Sequence, residues 1–112
     1  MRTVLVVDDD ASIRLLCRIN LELDGWRVVE AGTLQEARAE LDGDEVHVVV
    51  LDVHVGLDDG IEFMHEVRRD HPRLKVALLT GSEQVADSGS DAVIPKPFTI
   101  EQLTATVANL AG

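Results

Sequence analysis

Four places in this 112-residue chain set an acid, a hydroxyl or an amine directly after a short apolar run. Thr3 to Val7, TVLVV, leads into Asp8, Asp9 and Asp10, and Val48 to Leu51, VVVL, leads into Asp52. Lys75 to Leu79, KVALL, leads into Thr80, and Ala92 to Pro95 leads into Lys96. Three carboxylates brought together resist ionisation unless a cation offsets them, and hard oxygen donors with open positions suit Mg²⁺, or the similar Mn²⁺. Asp9 and Asp52 are the expected direct ligands, with Asp8 beside them acting through water. Such an ion is usually completed by phosphate oxygens, so the site is expected to receive a phosphoryl group. Asp52 would be the carboxylate nucleophile toward phosphorus, and the Thr80 hydroxyl and Lys96 ammonium would meet the phosphoryl oxygens.

The elements that must position these residues read as alternating strands and helices. A short, unalternated β-branched run is the pattern of a strand buried on both faces, so Thr3–Val7, Val48–Leu51 and Lys75–Leu79 are expected at the centre of a sheet. Trp26 to Glu30, WRVVE, flanks its valines with charge and suits an edge. Ala92–Pro95 ends in a proline, which lacks a ladder donor and also fits an edge.

Between the strands, Ile13, Leu16, Cys17 and Leu21 recur at helical spacing, with Gly25 as the stop. Leu34, Ala37 and Leu41 form a stripe behind a Thr33/Glu36 capping box and end near Gly43. Ile61, Met64 and Val67 follow from about Asp59 and close at His71 and Pro72. Ile100, Leu103, Val107 and Leu110 follow a Thr99/Gln102 capping box. Alternation of this kind implies a doubly wound parallel sheet in the order 2-1-3-4-5, flavodoxin-like, with ligands at the carboxyl ends of strands 1 and 3.

Composition narrows the alternatives. One cysteine, Cys17, cannot form an internal disulfide or a zinc site, and it falls in an apolar helical stripe. A net charge of −11 opposes contact with nucleic acid or anionic membranes. No apolar run approaches the length of a membrane span, and no signal peptide is recognisable, so a cytoplasmic location and one domain over residues 1–112 are expected.

Taken singly, each site residue has a duller role: aspartates after strands cap helices, and a lone lysine is usually solvated surface. Their joint occurrence at four strand ends is hard to produce by accident. The stretches VVDDD, VVVLDVHVGLDDG, LLTG and PKPF together resemble the CheY-like receiver domain of bacterial two-component response regulators, and the likeness covers essentially the whole chain. It implies that Asp52 accepts a phosphoryl group from a sensor histidine kinase or a histidine phosphotransfer protein. It also implies Asp8 and Asp9 as the acidic pair, the His54 backbone carbonyl as a further metal ligand, and Thr80 and Lys96 as phosphate contacts. Output would pass through an unknown downstream protein, with no enzymatic activity beyond self-catalysed phosphorylation and dephosphorylation. A cis Lys96–Pro97 bond fits the tight turn between the last strand and helix.

Four departures from the family pattern carry expectations. Val55 and Gly56 stand where Met-Pro is common, which predicts a looser loop. His54 and Ser82 stand at positions that influence phosphoryl lifetime, and neither is acidic or an amide. Val93 replaces an aromatic residue that reorients on activation in other members. Only sixteen positions separate Thr80 from Lys96, so the fourth helix is expected to be shortened or missing across Ser82 to Asp91.

Three rival readings compete with this one. A haloacid-dehalogenase-type phosphohydrolase needs a second acid where His54 stands. A nucleotide-binding Rossmann module needs a glycine-rich first turn, whereas this turn runs from Asp8 to Ser12. A phosphorylation-independent receiver acting purely as a binding module is the stronger competitor.

Overall fold

The unalternated apolar runs form the middle of a five-stranded parallel sheet in a computed structural model that describes residues 2–43, 45–81 and 89–112. In chain order the elements are β1 (Thr3–Val7), α1 (Ala11–Leu23), β2 (Arg27–Ala31), α2 (Leu34–Gly43), β3 (Val48–Asp52), β4 (His54–Val55), β5 (Asp58–Asp59), α3 (Gly60–Asp70), β6 (Lys75–Thr80), β7 (Ala92–Pro95) and α4 (Ile100–Ala111). The sheet order is β2-β1-β3-β6-β7, with β2 and β7 at the edges. This is the expected 2-1-3-4-5 arrangement, because β4 and β5 form a separate two-stranded hairpin. The expectation of a shortened or missing fourth helix falls largely on residues 82–88, outside the described residues. No helix among the described residues is long and apolar enough to cross a membrane.

The strands owe their continuous hydrophobicity to burial on both sides. Successive residues of a strand point to opposite faces. Leu5, Val7, Val49, Leu51, Val76 and Leu78 therefore join one core with Ala37 and Leu41 of α2 and Phe63, Met64 and Val67 of α3. Val4, Val6, Val48, Val50, Ala77 and Leu79 join the other with Cys17 and Leu21 of α1 and Leu103 and Val107 of α4. All residues of β1 and β3 are buried, whereas β2 and β7 are only partly so, as edge strands are.

Helix ends follow from local chemistry. Asp10 caps α1 by accepting from the Ser12 and Ile13 amides, and Asp59 caps α3 by accepting from those of Ile61 and Glu62. Thr99 and Gln102 form a reciprocal capping box on α4. The Thr33/Glu36 pair works differently, since the Glu36 carboxylate accepts from the Gly32 amide, one residue before Thr33. At the end of α1, Gly25 adopts a φ of +93°, the Gly25 amide donates to Glu22 and the Trp26 amide donates to Leu21. That is a Schellman ending, and it tucks Trp26 into the core beside Leu21 and Cys17.

Three details differ from the sequence expectations. Leu16 and Ile100 lie exposed at the flanks of the stripes they were assigned to, because 13/17/21 and 103/107 already fill the faces toward the sheet. Strand β2 begins at Arg27 and not at Trp26. The loop after β3 is not loose: His54 pairs with Asp59 and Val55 with Asp58, and Gly56 turns the hairpin with a φ of +64°. A two-residue hairpin turn with a glycine at its first position supplies the closure that a proline would otherwise stiffen.

Before β7, the Asp91 carboxylate accepts from the Val76 amide at 2.8 Å and from the Arg68 guanidinium of α3. Partial burial works against its charge, but the Arg68 and Val76 hydrogen bonds outweigh it and hold Asp91 below the usual carboxylate range. Asp91→Asn should cost about 1–3 kcal/mol in chemical denaturation at neutral pH. A carboxyl that titrates lower when folded stabilises fully above its unfolded value and loses that contribution as pH falls through the folded one. The wild-type and variant stabilities should therefore converge in acid, and a gap constant across pH would contradict this account.

Candidate metal and phosphoryl site

Because all five strands run parallel, their carboxyl ends share one rim, and each sequence-predicted site residue sits on it. Asp8 follows β1, Asp52 ends β3, Thr80 ends β6, and Lys96 follows β7. The central sheet pairs bring them together: Val7 aligns with Leu51, Asp52 with Leu79, and Thr80 with Pro95.

The acidic run after β1 divides its labour. Asp8 is wholly buried, Asp9 is exposed, and Asp10 faces away as the α1 cap. Carboxylate oxygens of Asp8, Asp9 and Asp52 all lie within 4.8 Å of one another. Lys96 reaches in from the opposite side, with Nζ 3.2 Å from Asp8 Oδ2 and 3.3 Å from Asp52 Oδ2. The other oxygens are held by backbone: the Asp10 amide donates to Asp8 Oδ1 at 2.9 Å, and the His54 amide to Asp52 Oδ1 at 3.3 Å. The Thr80 side chain is buried at the same rim, and the Lys96 amide donates to the Thr80 carbonyl at 2.8 Å. Lys96–Pro97 is cis, as expected. The His54 side chain is exposed.

Burial pushes Asp8 above the usual carboxylate range, and the neighbouring Asp52 charge adds to it despite the Asp10 amide and Lys96. Lys96 is raised: burial disfavours its ammonium, but the Asp8 and Asp52 charges outweigh that cost. One ammonium among three carboxylates leaves the cluster short of positive charge, so the donor set fits an additional hard cation. Asp8, Asp9 and Asp52 are the side chains that could hold it. Cys17 takes no part, since burial and the Asp8 charge push its thiol up to about 12.

Sequence reasoning missed two supports. Arg14 Nη1 donates to the Asp8 carbonyl at 2.6 Å while its Nε lies 3.3 Å from Glu30, tying α1 and β2 to the end of β1. Gly60 packs so closely under the acceptor strand that a Cβ there would lie 2.2 Å from the Asp52 carbonyl and 2.7 Å from that of Val53. The Asp-Gly pair before α3 was the available signal for the second.

Removing the Lys96 amine would leave Asp8 and Asp52 facing each other uncompensated. Lys96→Met should destabilise the metal-free protein by about 1–3 kcal/mol near neutral pH. The loss should be partly restored by Mg²⁺ in thermal unfolding. Unchanged stability without the ion would mean that this cluster is adequately screened by water.

A family model described as "Response regulator receiver domain" matches residues 4–108. The probable transcriptional regulatory protein TcrX of Mycobacterium tuberculosis is 36% identical over 107 residues, covering 90% of this chain and 46% of that protein. The KDP operon transcriptional regulatory protein KdpE of Escherichia coli is 36% identical over 110 residues, covering 94% of this chain and 49% of that protein. The chain thus spans about half the length of these relatives. Among solved structures, response regulator TrrA of Thermotoga maritima, crystallised with Mg²⁺-BeF, superposes with a TM-score of 0.89 at 28% identity, covering 98% of this chain and 99% of that one. A CheY-like receiver domain protein from Methanospirillum hungatei gives 0.90 at 25% identity, covering 97% and 92%.

Proposed function

The chain belongs to the response regulator receiver family, and from that premise we propose that Asp52 accepts a phosphoryl group in a Mg²⁺-dependent transfer from a sensor histidine kinase or histidine phosphotransfer protein. The observation that carries the reading is the grouping of Asp8, Asp9 and Asp52 with the Lys96 ammonium at the ends of parallel strands. A carboxylate oxygen of Asp52 forms a bond to phosphorus as the phosphorus–nitrogen bond of the donor phosphohistidine breaks. The bonding pair remains on the imidazole nitrogen. Lys96 and the Thr80 hydroxyl then hold the phosphoryl oxygens, and Lys96 exchanges part of its carboxylate contact for phosphate.

Asp8, Asp9, Asp52 and the His54 carbonyl are the groups assigned to the ion. When bound, Mg²⁺, or Mn²⁺, supplies charge stabilisation to the phosphoryl oxygens. Residues 1–112 act as one receiver domain in the cytoplasm. Its output passes through protein contacts, because the net charge of −11 disfavours a nucleic-acid surface on this part of the protein.

Intact mass after incubation with a small-molecule phosphodonor and Mg²⁺ tests the reading. One added phosphoryl group is expected in the wild type and none in Asp52→Asn or with a chelator. Absence of the adduct in the wild type, with Mg²⁺ binding and slow hydrolysis confirmed, would transfer the function to phosphorylation-independent binding. The same adduct allows its decay to be followed. Because the His54 amide contacts Asp52 while its side chain faces solvent, His54→Ala should change the decay rate without changing stability. An unchanged rate would make His54 a simple hairpin residue.

A further inference from the structure

At the opposite rim of the sheet, among the amino ends of the strands, lies a cavity of about 680 Å³. Length alone separates it from the carboxylates: five residues of strand span about 15 Å. Leu41, Val46, Leu74 and Leu110 give it an apolar wall. Arg2, Arg73 and Lys75 line it too, and His47 stands among them.

Arg2, Arg73 and Lys75 differ from six other cations of the chain. Arg14, Arg18, Arg38, Arg68, Arg69 and Lys96 all lie within ion-pair distance of a carboxylate. Arg2, Arg73 and Lys75 make no such pair among the described residues, although the chain carries 21 acids against 10 lysines and arginines. Arg2 is fixed by donating Nη1 to the Ala111 carbonyl at 2.7 Å, across the gap between β1 and α4. His47 Nδ1 accepts from the Thr3 amide at 3.1 Å, which leaves Nε2 as the protonated nitrogen of the neutral ring. The single carboxylate among the lining residues, Glu45, is 92% exposed and 3.9 Å from that Nε2. Asp91, which feels the Lys75 charge, is already engaged by Arg68.

We propose that this cavity is a second binding site, for a small amphipathic anion with a carboxylate head and an apolar body. Its volume falls in the range of small-molecule sites, about 300–1,000 Å³, and its lining combines an apolar wall with a few cationic side chains. The net negative charge of the chain opposes a bare anion at long range, so the head alone gains little. The apolar body must contribute by leaving water, and the cations that have no ion pair among the described residues then select a negative head over a neutral one. The site is independent of Asp52.

The probes are 2-naphthoate, its neutral alcohol counterpart and acetate, titrated into the whole chain with amide shifts followed by NMR. Naphthoate should move the amides of Val46, His47, Leu74, Lys75 and Ala111, equally in wild type and Asp52→Asn. Acetate should move none, and the alcohol should bind about tenfold more weakly or worse. Arg73→Gln with Lys75→Gln, two exposed side chains without ion pairs among the described residues, should weaken naphthoate by a similar factor while leaving circular dichroism unchanged. Equal binding of acid and alcohol, no loss in the double variant, or shifts confined to other surfaces would overturn the proposal.

Discussion

The arrangement depends on holding like charges together at the end of a buried sheet. Asp8 and Asp52 leave β1 and β3 as neighbours because Val7 and Leu51 are paired in register, so their proximity is a consequence of topology and not of attraction. Lys96 is what makes that tolerable without a metal ion. It arrives from the edge strand β7, two strands from β3 in the sheet order, and lies within 3.3 Å of both carboxylates. The alternative of leaving the acids uncharged would empty the site of its chemistry. The sheet supplies the proximity and the lysine supplies the charge balance.

Everything near Asp52 is arranged to keep that strand end fixed. The β4–β5 hairpin returns the chain immediately after the acid, and the Gly60 amide donates to the Val53 carbonyl at 2.6 Å. Only a residue without a Cβ allows this approach, since the Asp52 carbonyl occupies the space a side chain would need. Arg14 performs the corresponding task for β1 by binding the Asp8 carbonyl. Both supports act on backbone atoms and occupy no carboxylate oxygen.

Much of this was legible in the residues, for identifiable reasons. Runs such as VVDDD and VVVLD report a strand buried on both faces and the point where it leaves the core, because few other short elements hide an unbroken run of apolar side chains. Three such segments and two edge strands, separated by helical stripes, leave few topologies, so the rim on which Asp8, Asp52, Thr80 and Lys96 meet could be anticipated. The hairpin at His54–Asp59 could not: two-residue strands have no periodicity, and the glycine that permits the turn also reads as looseness. The flanks of the helices were similarly opaque. Leu16 and Ile100 are as apolar as their buried neighbours, and only the position of the sheet decides that Cys17 and Leu103 face it instead. Long-range pairs such as Arg68 with Asp91 leave no local signature at all.

Val93 bears on how a change at Asp52 could leave the site. It is partly exposed on β7, two positions before Pro95, and has no ring to swing between buried and exposed states. A phosphoryl group on Asp52 would still draw on Thr80 and Lys96, and these two are joined through the backbone by the Lys96 amide and the Thr80 carbonyl. Lys96 also sits at the end of the edge strand, whose outer side has no strand partner. Strands β1, β3 and β6 are thus paired on both sides, and β7 on one. With no aromatic residue at position 93, a shift of the Thr80–Lys96 pair would be transmitted by the backbone of β7 and the start of α4, where Val93 and Ile100 are exposed.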